Sequence, residues 1–351
     1  MPSMLRLLLL ALMAALALPD AALAQATQAR RATPEDSPAR YAARQDVHDF
    51  AALIAERQQL PVEWVQAQLT QARRQPAAQR LMMPPPAGTA KNWAAYRDRF
   101  VEPQRIAAGT RFWQDNAEWL LRAEQRWGVP AHVIVGIVGV ETFYGRVTGN
   151  FRVLDVLATL SFDFPAGRSD RSPFFRDELE AFLLLCHREG LDPTAPKGSF
   201  AGAMGLPQFM PSSINRYAVD FDGDGHIDLS RSVADVIGSV ANYLATFGWQ
   251  RGMPTQYEVA VPVDEHARAT LLAPDILPSF SAEQMRSLGA ELEQRAHAHE
   301  GALALVELQN GADAPSFVAG TQNFYVVTRY NRSSYYAMAV IALGEAVRQE
   351  M

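Results

Sequence analysis

The sequence predicts a mainly α-helical protein of the α+β class with a small β-containing insert. Apolar residues recur at helical spacing along most of the chain before Gly252. Alternation of apolar and polar residues, which is typical of strands, is confined to residues 256–263 and 303–308, and residues 316–329 also favour strand. With 351 residues, the chain is long enough for about two domains.

The first 24 residues have the pattern of an export signal. Arg6 precedes an apolar run over residues 7–18, and Ala22-Leu23-Ala24 provides small residues for cleavage. The run is shorter than the roughly 20 residues of a membrane-spanning helix, although a buried N-terminal helix would look similar. We therefore expect a signal peptide at residues 1–24 and a periplasmic protein without stable membrane insertion. We expect no lipid anchor, because Cys186 is the only cysteine and lies far from the apolar run.

Breaks in the helical pattern divide the rest of the chain into five predicted parts. Residues 25–44 are polar and predict a flexible tether, and residues 45–109 predict an accessory helical domain. Residues 110–252 predict a helical core, residues 253–329 the β-containing insert, and residues 330–351 a C-terminal helix that returns to the helical part. Predicted helices begin at or next to Asp46, Pro61, Thr110, Pro130, Pro173, Pro211, Val233 and Ser281.

Composition excludes several classes of function. The chain has 32 Lys and Arg against 38 Asp and Glu, a net charge of −6, which argues against a nucleic-acid-binding protein. A single cysteine excludes an intramolecular disulfide and a cysteine-based metal cluster. Cys186 lies in an apolar segment and is interpreted as a core thiol.

Glu141 is the strongest candidate for a catalytic residue. It follows an eight-residue apolar run, residues 133–140, that predicts a helix buried on all sides. Burial would raise the pKa of this carboxyl, and an acid that is neutral near working pH can protonate a leaving oxygen, as a glycosidase general acid does. Alternatively, Glu141 faces water or pairs with Arg146.

Two other segments suggest a cleft for a polymer. Residues 197–213 are rich in Gly and Ala, which lets a ligand approach the backbone, and Ser199 and Gln208 are the polar side chains there. An ordinary loop anchored by Phe209 is the alternative. The aromatic cluster at residues 330–336 could stack on sugar rings or pack in the core.

An acidic loop at residues 220–228 has the spacing of an EF-hand calcium site. Three aspartates occupy positions 1, 3 and 5, Gly225 occupies position 6, and His226 at position 7 would contribute its carbonyl. Arg231 stands where the closing glutamate belongs, so a longer loop closed by Asp235 would be needed. An acidic turn exposed to solvent is the alternative. These acidic side chains are Asp220, Asp222, Asp224 and Asp228.

Four motifs in order resemble the lytic murein transglycosylase B family. They are Gly139-Val-Glu-Thr-Phe-Tyr-Gly145, the Gly198–Ser212 segment, the Asp220–Asp228 loop and Thr328-Arg-Tyr-Asn331. The similarity runs from about Tyr96 to the C-terminus. It implies a lysozyme-like helical core with an accessory α domain and a small β domain. It also implies a lyase that cleaves the β-1,4 bond between N-acetylmuramic acid and N-acetylglucosamine in peptidoglycan, with a 1,6-anhydromuramoyl product.

The resemblance also implies roles for individual residues. Glu141 matches the single catalytic acid and base, which requires no cofactor. The matching substrate-binding residues are Tyr96, Ser199, Met204, Gln208, Tyr243, Tyr330, Asn331 and Tyr336. The matching ligands of a structural calcium ion are Asp220, Asp222, Asp224, His226 and Asp235. The expected partner is the peptidoglycan glycan strand, and the absence of a lipid-accepting cysteine indicates a soluble, monomeric member.

Two other functions stay open at this stage. A goose-type muramidase would share the helical core and the lone glutamate but deliver water to the sugar. A non-catalytic peptidoglycan-binding or scaffold protein would keep the fold without cleaving the glycan.

Overall fold

The computed structural model describes residues 39–84 and 90–351. The predicted signal peptide and residues 25–38 of the predicted tether lie outside the described residues. Within the described ranges, no helix combines the length and the apolar character that crossing a bilayer requires. The mainly helical prediction with small sheets is confirmed.

The N-terminal helices pack on two helices from the middle of the chain and share one hydrophobic core with them. These elements are α1 (Ala39–Ala42), α2 (Gln45–Gln58), α3 (Val62–Leu69), α4 (Pro76–Leu81), α9 (Val153–Phe162) and α10 (Ser172–Arg188). Tyr41 is buried and its hydroxyl donates a hydrogen bond to Asp163 over 2.8 Å. The predicted tether does not extend to residue 44, because residues 39–42 are helical and Tyr41 is packed in this core.

A second, larger core surrounds α8, the buried helix that ends near Glu141. Its helices are α5 (Trp93–Arg97), α6 (Pro103–Asp115), α7 (Ala117–Trp127), α8 (Ala131–Thr142), α11 (Pro211–Tyr217), α12 (Val233–Thr246), α15 (Gln322–Tyr330) and α16 (Ser334–Gln349). Helix α8 lies so close to α16 that a Cβ on Gly136 would collide with the Val340 carbonyl. The cores therefore do not follow the predicted boundary at residue 110, because α5 and α6 belong with α8.

The β-containing insert forms a four-stranded antiparallel sheet with the order β4-β3-β6-β5. Its elements are β3 (Gln256–Ala260), α13 (Glu265–Leu272), α14 (Ala282–Ser287), β4 (Glu291–Leu292), a 3₁₀ helix (Gln294–Ala298), β5 (Ala304–Asn310) and β6 (Asp313–Gly320). The single helix predicted over residues 281–297 is thus three short elements. A third core lies beneath the sheet.

The strand predicted over residues 316–329 is wrong beyond Gly320. Thr321 caps α15 by accepting hydrogen bonds from the backbone N–H groups of Asn323 and Phe324, and the chain turns into a helix. Phe324, Val326 and Val327 are buried on that helix in the second core. Their β-branched and aromatic side chains favour strand locally, but helical packing against α12 and α16 overrides that preference.

A short two-stranded sheet places the Gly-rich segment next to the end of α8. Strands β1 (Phe151–Arg152) and β2 (Lys197–Gly198) pair antiparallel, and the chain then turns through residues 199–210 into α11. This segment, the end of α8 and the start of α16 converge on one region of the surface.

Candidate active site

The Glu141 carboxyl lies at the C-terminal end of α8 and is bound by one phenol. The Tyr336 hydroxyl donates a hydrogen bond to Glu141 Oε1 over 2.6 Å. Burial raises the pKa of Glu141 to about 8, and the Tyr336 hydrogen bond acts in the opposite direction. Glu141 and Arg146, both in the described part of the chain, form no ion pair. The Arg146 guanidinium instead lies over the Phe143 ring, 4.5 Å from its centroid. Glu141 is therefore an acid that stays protonated at neutral pH.

The turn that follows Glu141 is held by contacts that the sequence did not predict. Phe143 and Tyr144 both have left-handed backbone, with φ of 51° and 56°, a conformation that costs energy in residues other than glycine. The Thr142 hydroxyl donates to the Leu206 carbonyl over 2.9 Å and accepts from the Gly145 N–H over 3.1 Å. These bonds tie the end of α8 to the Gly-rich segment.

Small residues make room for Tyr144. Its hydroxyl lies where a Cβ on Gly109 or on Gly139 would collide with it, and its ring lies 5.2 Å from that of Phe112. The two glycines, on α6 and α8, were the available sequence signal for this half-buried tyrosine.

A cluster of aromatic rings surrounds the acid on the side of α12 and α16. The rings of Tyr330 and Tyr336 are stacked with centroids 6.2 Å apart, and Tyr243 lies 5.0 Å from Tyr330. After burial, the negative charge of Glu141 is a further cause of the raised pKa of Tyr96, Tyr330 and Tyr336. These phenols are therefore packed with the core and also close to the carboxyl, and stacking on sugar rings stays a prediction.

Backbone contacts fix the Gly-rich segment. Ser199 Oγ accepts hydrogen bonds from the N–H groups of Ala201 and Ala203 over 3.3 and 3.0 Å. Gln208, which also has left-handed backbone with φ of 51°, donates from Nε2 to the Thr148 and Gly205 carbonyls over 3.2 and 2.8 Å. In this structure, Ser199 and Gln208 thus shape the loop.

Met204 lies between the two helical cores. Its N–H donates to the Phe209 carbonyl over 2.8 Å, and its side chain packs against both helical cores.

A cavity runs alongside this loop and contains half of the predicted substrate-binding residues. Its lining residues are Arg171, Phe174, Ala201, Gln208, Phe209, Met210, Ser213, Tyr243, Tyr330 and Asn331. Asn331 is buried, and its Nδ2 has no hydrogen-bond acceptor in the part of the chain that the structure describes. Arg171 and Phe174 were not predicted, because nothing in their local sequence indicates that they meet the Gly-rich loop.

Two aspartates of the acidic loop and one from the first turn of α12 come together. Asp220, Asp222 and Asp235 each bring one carboxylate oxygen within 4.8 Å of the other two. Asp235 is buried and accepts hydrogen bonds from the N–H groups of Phe221 and Asp228, each over 2.8 Å. Burial raises the pKa of Asp235, as do the charges of Asp222 and Asp220. A converging set of hard carboxylate oxygens fits a calcium ion.

The other predicted ligands lie outside this group of three carboxylates. Asp224 accepts the His226 N–H over 2.8 Å, a bond within the turn. Asp228 likewise accepts the N–H groups of Ser230 and Arg231. Asp235 is thus the predicted ligand that converges with Asp220 and Asp222, and its closing role stays a prediction.

Comparison with known proteins gives consistent matches. Residues 42–345 match the family model described as the transglycosylase SLT domain. The membrane-bound lytic murein transglycosylase B of Escherichia coli K12 is 44% identical over 287 residues, which cover 80% of this chain and 76% of that protein.

Solved structures agree with this match. The Escherichia coli lytic transglycosylase Slt35 in complex with bulgecin A is 39% identical, with a TM-score of 0.79 over 90% of this chain and 96% of that chain. Slt35 has also been solved in complex with calcium. SltB3 from Pseudomonas aeruginosa in complex with NAG-NAM-pentapeptide is 28% identical, with a TM-score of 0.70 over 89% of this chain and 80% of that chain.

Proposed function

This chain belongs to the lytic murein transglycosylases of the transglycosylase SLT domain family, and from that premise we propose that Glu141 alone supplies its acid and base catalysis. The bond cleaved is the β-1,4 bond between N-acetylmuramic acid and N-acetylglucosamine. The product carries a 1,6-anhydromuramoyl end.

The protonated state of Glu141 carries this proposal. With a pKa of about 8, the carboxyl holds its proton at neutral pH, where an ordinary glutamate would not. The Tyr336 hydroxyl occupies Oε1 as a donor, which leaves the other oxygen to carry the proton toward a substrate. A neutral acid in that position can protonate the glycosidic oxygen as the bond to the anomeric carbon breaks.

The lack of a second acid beside Glu141 favours attack from within the substrate. Among the residues that the structure describes, no other carboxylate acts on the pKa of Glu141. Glycosidases that use water or a covalent intermediate ordinarily employ two carboxylates. The C6 hydroxyl of muramic acid replaces the second group: its oxygen bonds to the anomeric carbon, and the Glu141 carboxylate takes its proton. Such an intramolecular attack has an effective molarity on the order of 10⁵ M or more.

The proposed glycan groove follows the aromatic rings and the Gly-rich segment. Gln208, Tyr243, Tyr330 and Asn331 line the cavity, and the free Nδ2 of Asn331 is a donor suited to a sugar or amide oxygen. The remaining assigned residues are Tyr96 and Tyr336 beside the acid, and Ser199 and Met204 in the loop.

We assign a structural calcium ion to the acidic loop. The convergence of Asp220, Asp222 and Asp235 supports this site, and the calcium complex of Slt35 is consistent with it. Asp224 and the His226 carbonyl complete the proposed set. The ion braces the loop and takes no part in bond cleavage.

We also propose that the protein acts in the periplasm as a soluble enzyme. The export pattern of residues 1–24 and the murein substrate support this location. The single cysteine, Cys186, is buried in α10, which argues against lipid attachment at that residue.

Digestion of purified sacculi tests the proposed reaction. Mass spectrometry of the soluble products should show 1,6-anhydromuramoyl ends with the wild-type protein and almost none with Glu141→Gln. Reducing muramic acid ends without anhydro products would instead identify a muramidase. Equal inactivity of both proteins, with sacculus binding retained, would identify a scaffold.

A further inference from the structure

Cationic and aromatic side chains form a continuous stack beside the proposed acid. The Tyr96 ring lies 5.1 Å from that of Phe100, and the Arg105 guanidinium lies 5.1 Å from the centroid of Phe100. The same guanidinium lies 4.6 Å from the centroid of Phe143, and that of Arg146 lies 4.5 Å from it. We call Phe100, Arg105, Phe143 and Arg146 the arginine ladder.

Two members of the ladder, Phe143 and Phe100, lie next to the catalytic region. Phe143 follows Glu141 by two residues, in the turn at the end of α8. At the other end, Phe100 contacts Tyr96, a phenol whose pKa responds to the charge of Glu141. None of the ladder residues lines the cavity beside the Gly-rich segment, so the ladder extends the site in another direction.

Neither arginine of the ladder forms a direct ion pair among the described residues. Arg105 is 8% exposed, donates from Nη1 to the Arg99 carbonyl over 2.8 Å, and has an Nε without an acceptor. The Glu102 carboxylate caps α6 by accepting the N–H groups of Gln104 and Arg105, and its charge acts on the Arg105 guanidinium without a direct ion pair.

A buried guanidinium without a counter-ion is costly for a fold. Arg146 is exposed and makes no ion pair, and its planar group is held over Phe143. The two charges therefore lie on one ring, one beneath the surface and one in solvent. An anion that binds at Arg146 would also lie near the buried charge of Arg105, which forms no direct ion pair among the described residues.

The substrate of the proposed function carries a suitable anion. Arginine binds carboxylates through paired N–H donors, and stacking on a ring fixes the plane in which those donors point. In murein that carries peptides, the lactyl carboxyl of muramic acid is consumed in the amide bond to the peptide. The free carboxylates near a glycan strand are then those of the peptide stem.

We propose that the arginine ladder binds a carboxylate of the murein peptide stem, with Arg146 in contact and Arg105 as the second charge. This assignment rests on the proposed function, since it takes murein as the ligand. It makes the ladder a determinant of specificity for peptide-bearing glycan.

A binding experiment tests the ladder separately from catalysis. Soluble uncross-linked murein strands are prepared with native peptides and with peptide carboxyls converted to amides, and the Kd of each is measured. Glu141→Gln is the background, so that the strands are not consumed. Arg146→Met keeps an apolar side chain over Phe143 and removes the charge. Arg286→Met, at an exposed position of α14 in the insert, is the matched control.

We expect Arg146→Met to weaken binding of native strands about tenfold and to leave binding of amidated strands unchanged. Arg146→Lys should recover part of the loss, and Arg286→Met should have no effect. Equal weakening for both strands, or none for native strands, would overturn the assignment. Cleavage of native strands by the wild-type protein is measured in parallel. Its absence would overturn the proposed function, while the charge dependence of binding would still decide the ladder.

Discussion

The variant Glu141→Gln tests whether Glu141 is a half-buried neutral acid or an ordinary surface glutamate. The substitution keeps the size of the side chain and an oxygen that accepts the Tyr336 hydroxyl, but removes the ionisable proton. We expect kcat to fall by about 10²- to 10⁴-fold, the usual contribution of a positioned proton donor. The same variant also makes a prediction about stability.

The raised pKa of Glu141 means that ionisation opposes folding. The folded state releases this proton near pH 8 and the unfolded chain near 4.5, so the contribution of Glu141 to stability is fully present below pH 4.5 and declines as the pH rises to 8. Between pH 4.5 and pH 7 the wild type loses about 1.36 kcal/mol of unfolding free energy per pH unit. Over these 2.5 units the loss is about 3 kcal/mol. Because Gln does not ionise, the variant should exceed the wild type in unfolding free energy by up to about 3 kcal/mol at pH 7.

Urea denaturation from pH 4.5 to pH 9 measures this difference. Near pH 4.5 the two proteins should have similar stability, and their difference should grow until pH 8 and then stay constant. Glu63→Gln, at an exposed position of α3, is the matched control and should show no such growth. A difference between Glu141→Gln and wild type that does not depend on pH would refute the buried-acid reasoning.

Three further predictions address the groups around Glu141 and the acidic loop. Tyr336→Phe removes the hydrogen bond that lowers the pKa of Glu141, so the alkaline fall of kcat/KM should move up by about one pH unit; an unmoved profile contradicts this. Thr142→Val leaves the Leu206 carbonyl and the Gly145 N–H without their partner, so urea denaturation should show a loss of about 1–2 kcal/mol. EDTA should lower the wild-type Tm by several degrees, and calcium should restore it. Asp222→Asn should abolish this response and Asp228→Asn should keep it; a calcium-insensitive wild type would contradict the site.

Sequence patterns predicted the helices well where local signals and packing agree. Pro211 and Val233 begin helices as expected, and the apolar run before Glu141 is a helix buried on all sides. The pattern failed over residues 322–330, because the preference of Val326 and Val327 for strand is local, whereas their burial between α12 and α16 is not visible in a single sequence. Which helices belong to which of the two helical cores likewise depends on contacts between distant segments, so the sequence pattern did not predict it.

The candidate site was predictable in its residue types but not in its contacts. Glu141 and the Gly-rich segment were found because each breaks the local pattern, a carboxylate after an apolar run and a loop rich in small residues. The phenol that binds Glu141 comes from Tyr336, 195 residues further along the chain, and no local signal connects the two. Arg105 and Phe143 also lie on different helical segments with no local signal that connects them, so the arginine ladder became visible only in the folded chain.

The acidic loop is connected to the groove through α12. This helix carries Asp235 in its first turn and Tyr243 eight residues later, about 12 Å along the axis. Phe221, which lies between two of the converging aspartates, contacts the same helix, since a Cβ on Gly238 would lie 2.6 Å from its ring. An ion that draws the three carboxylates together therefore fixes the loop against α12, and α12 holds Tyr243 in the groove wall. Because the proposed ion would be held by the helix that carries Tyr243 and not by Glu141, its removal below the Tm should raise KM for murein strands and leave kcat nearly unchanged. A fall in kcat at constant KM would instead connect the metal to the acid.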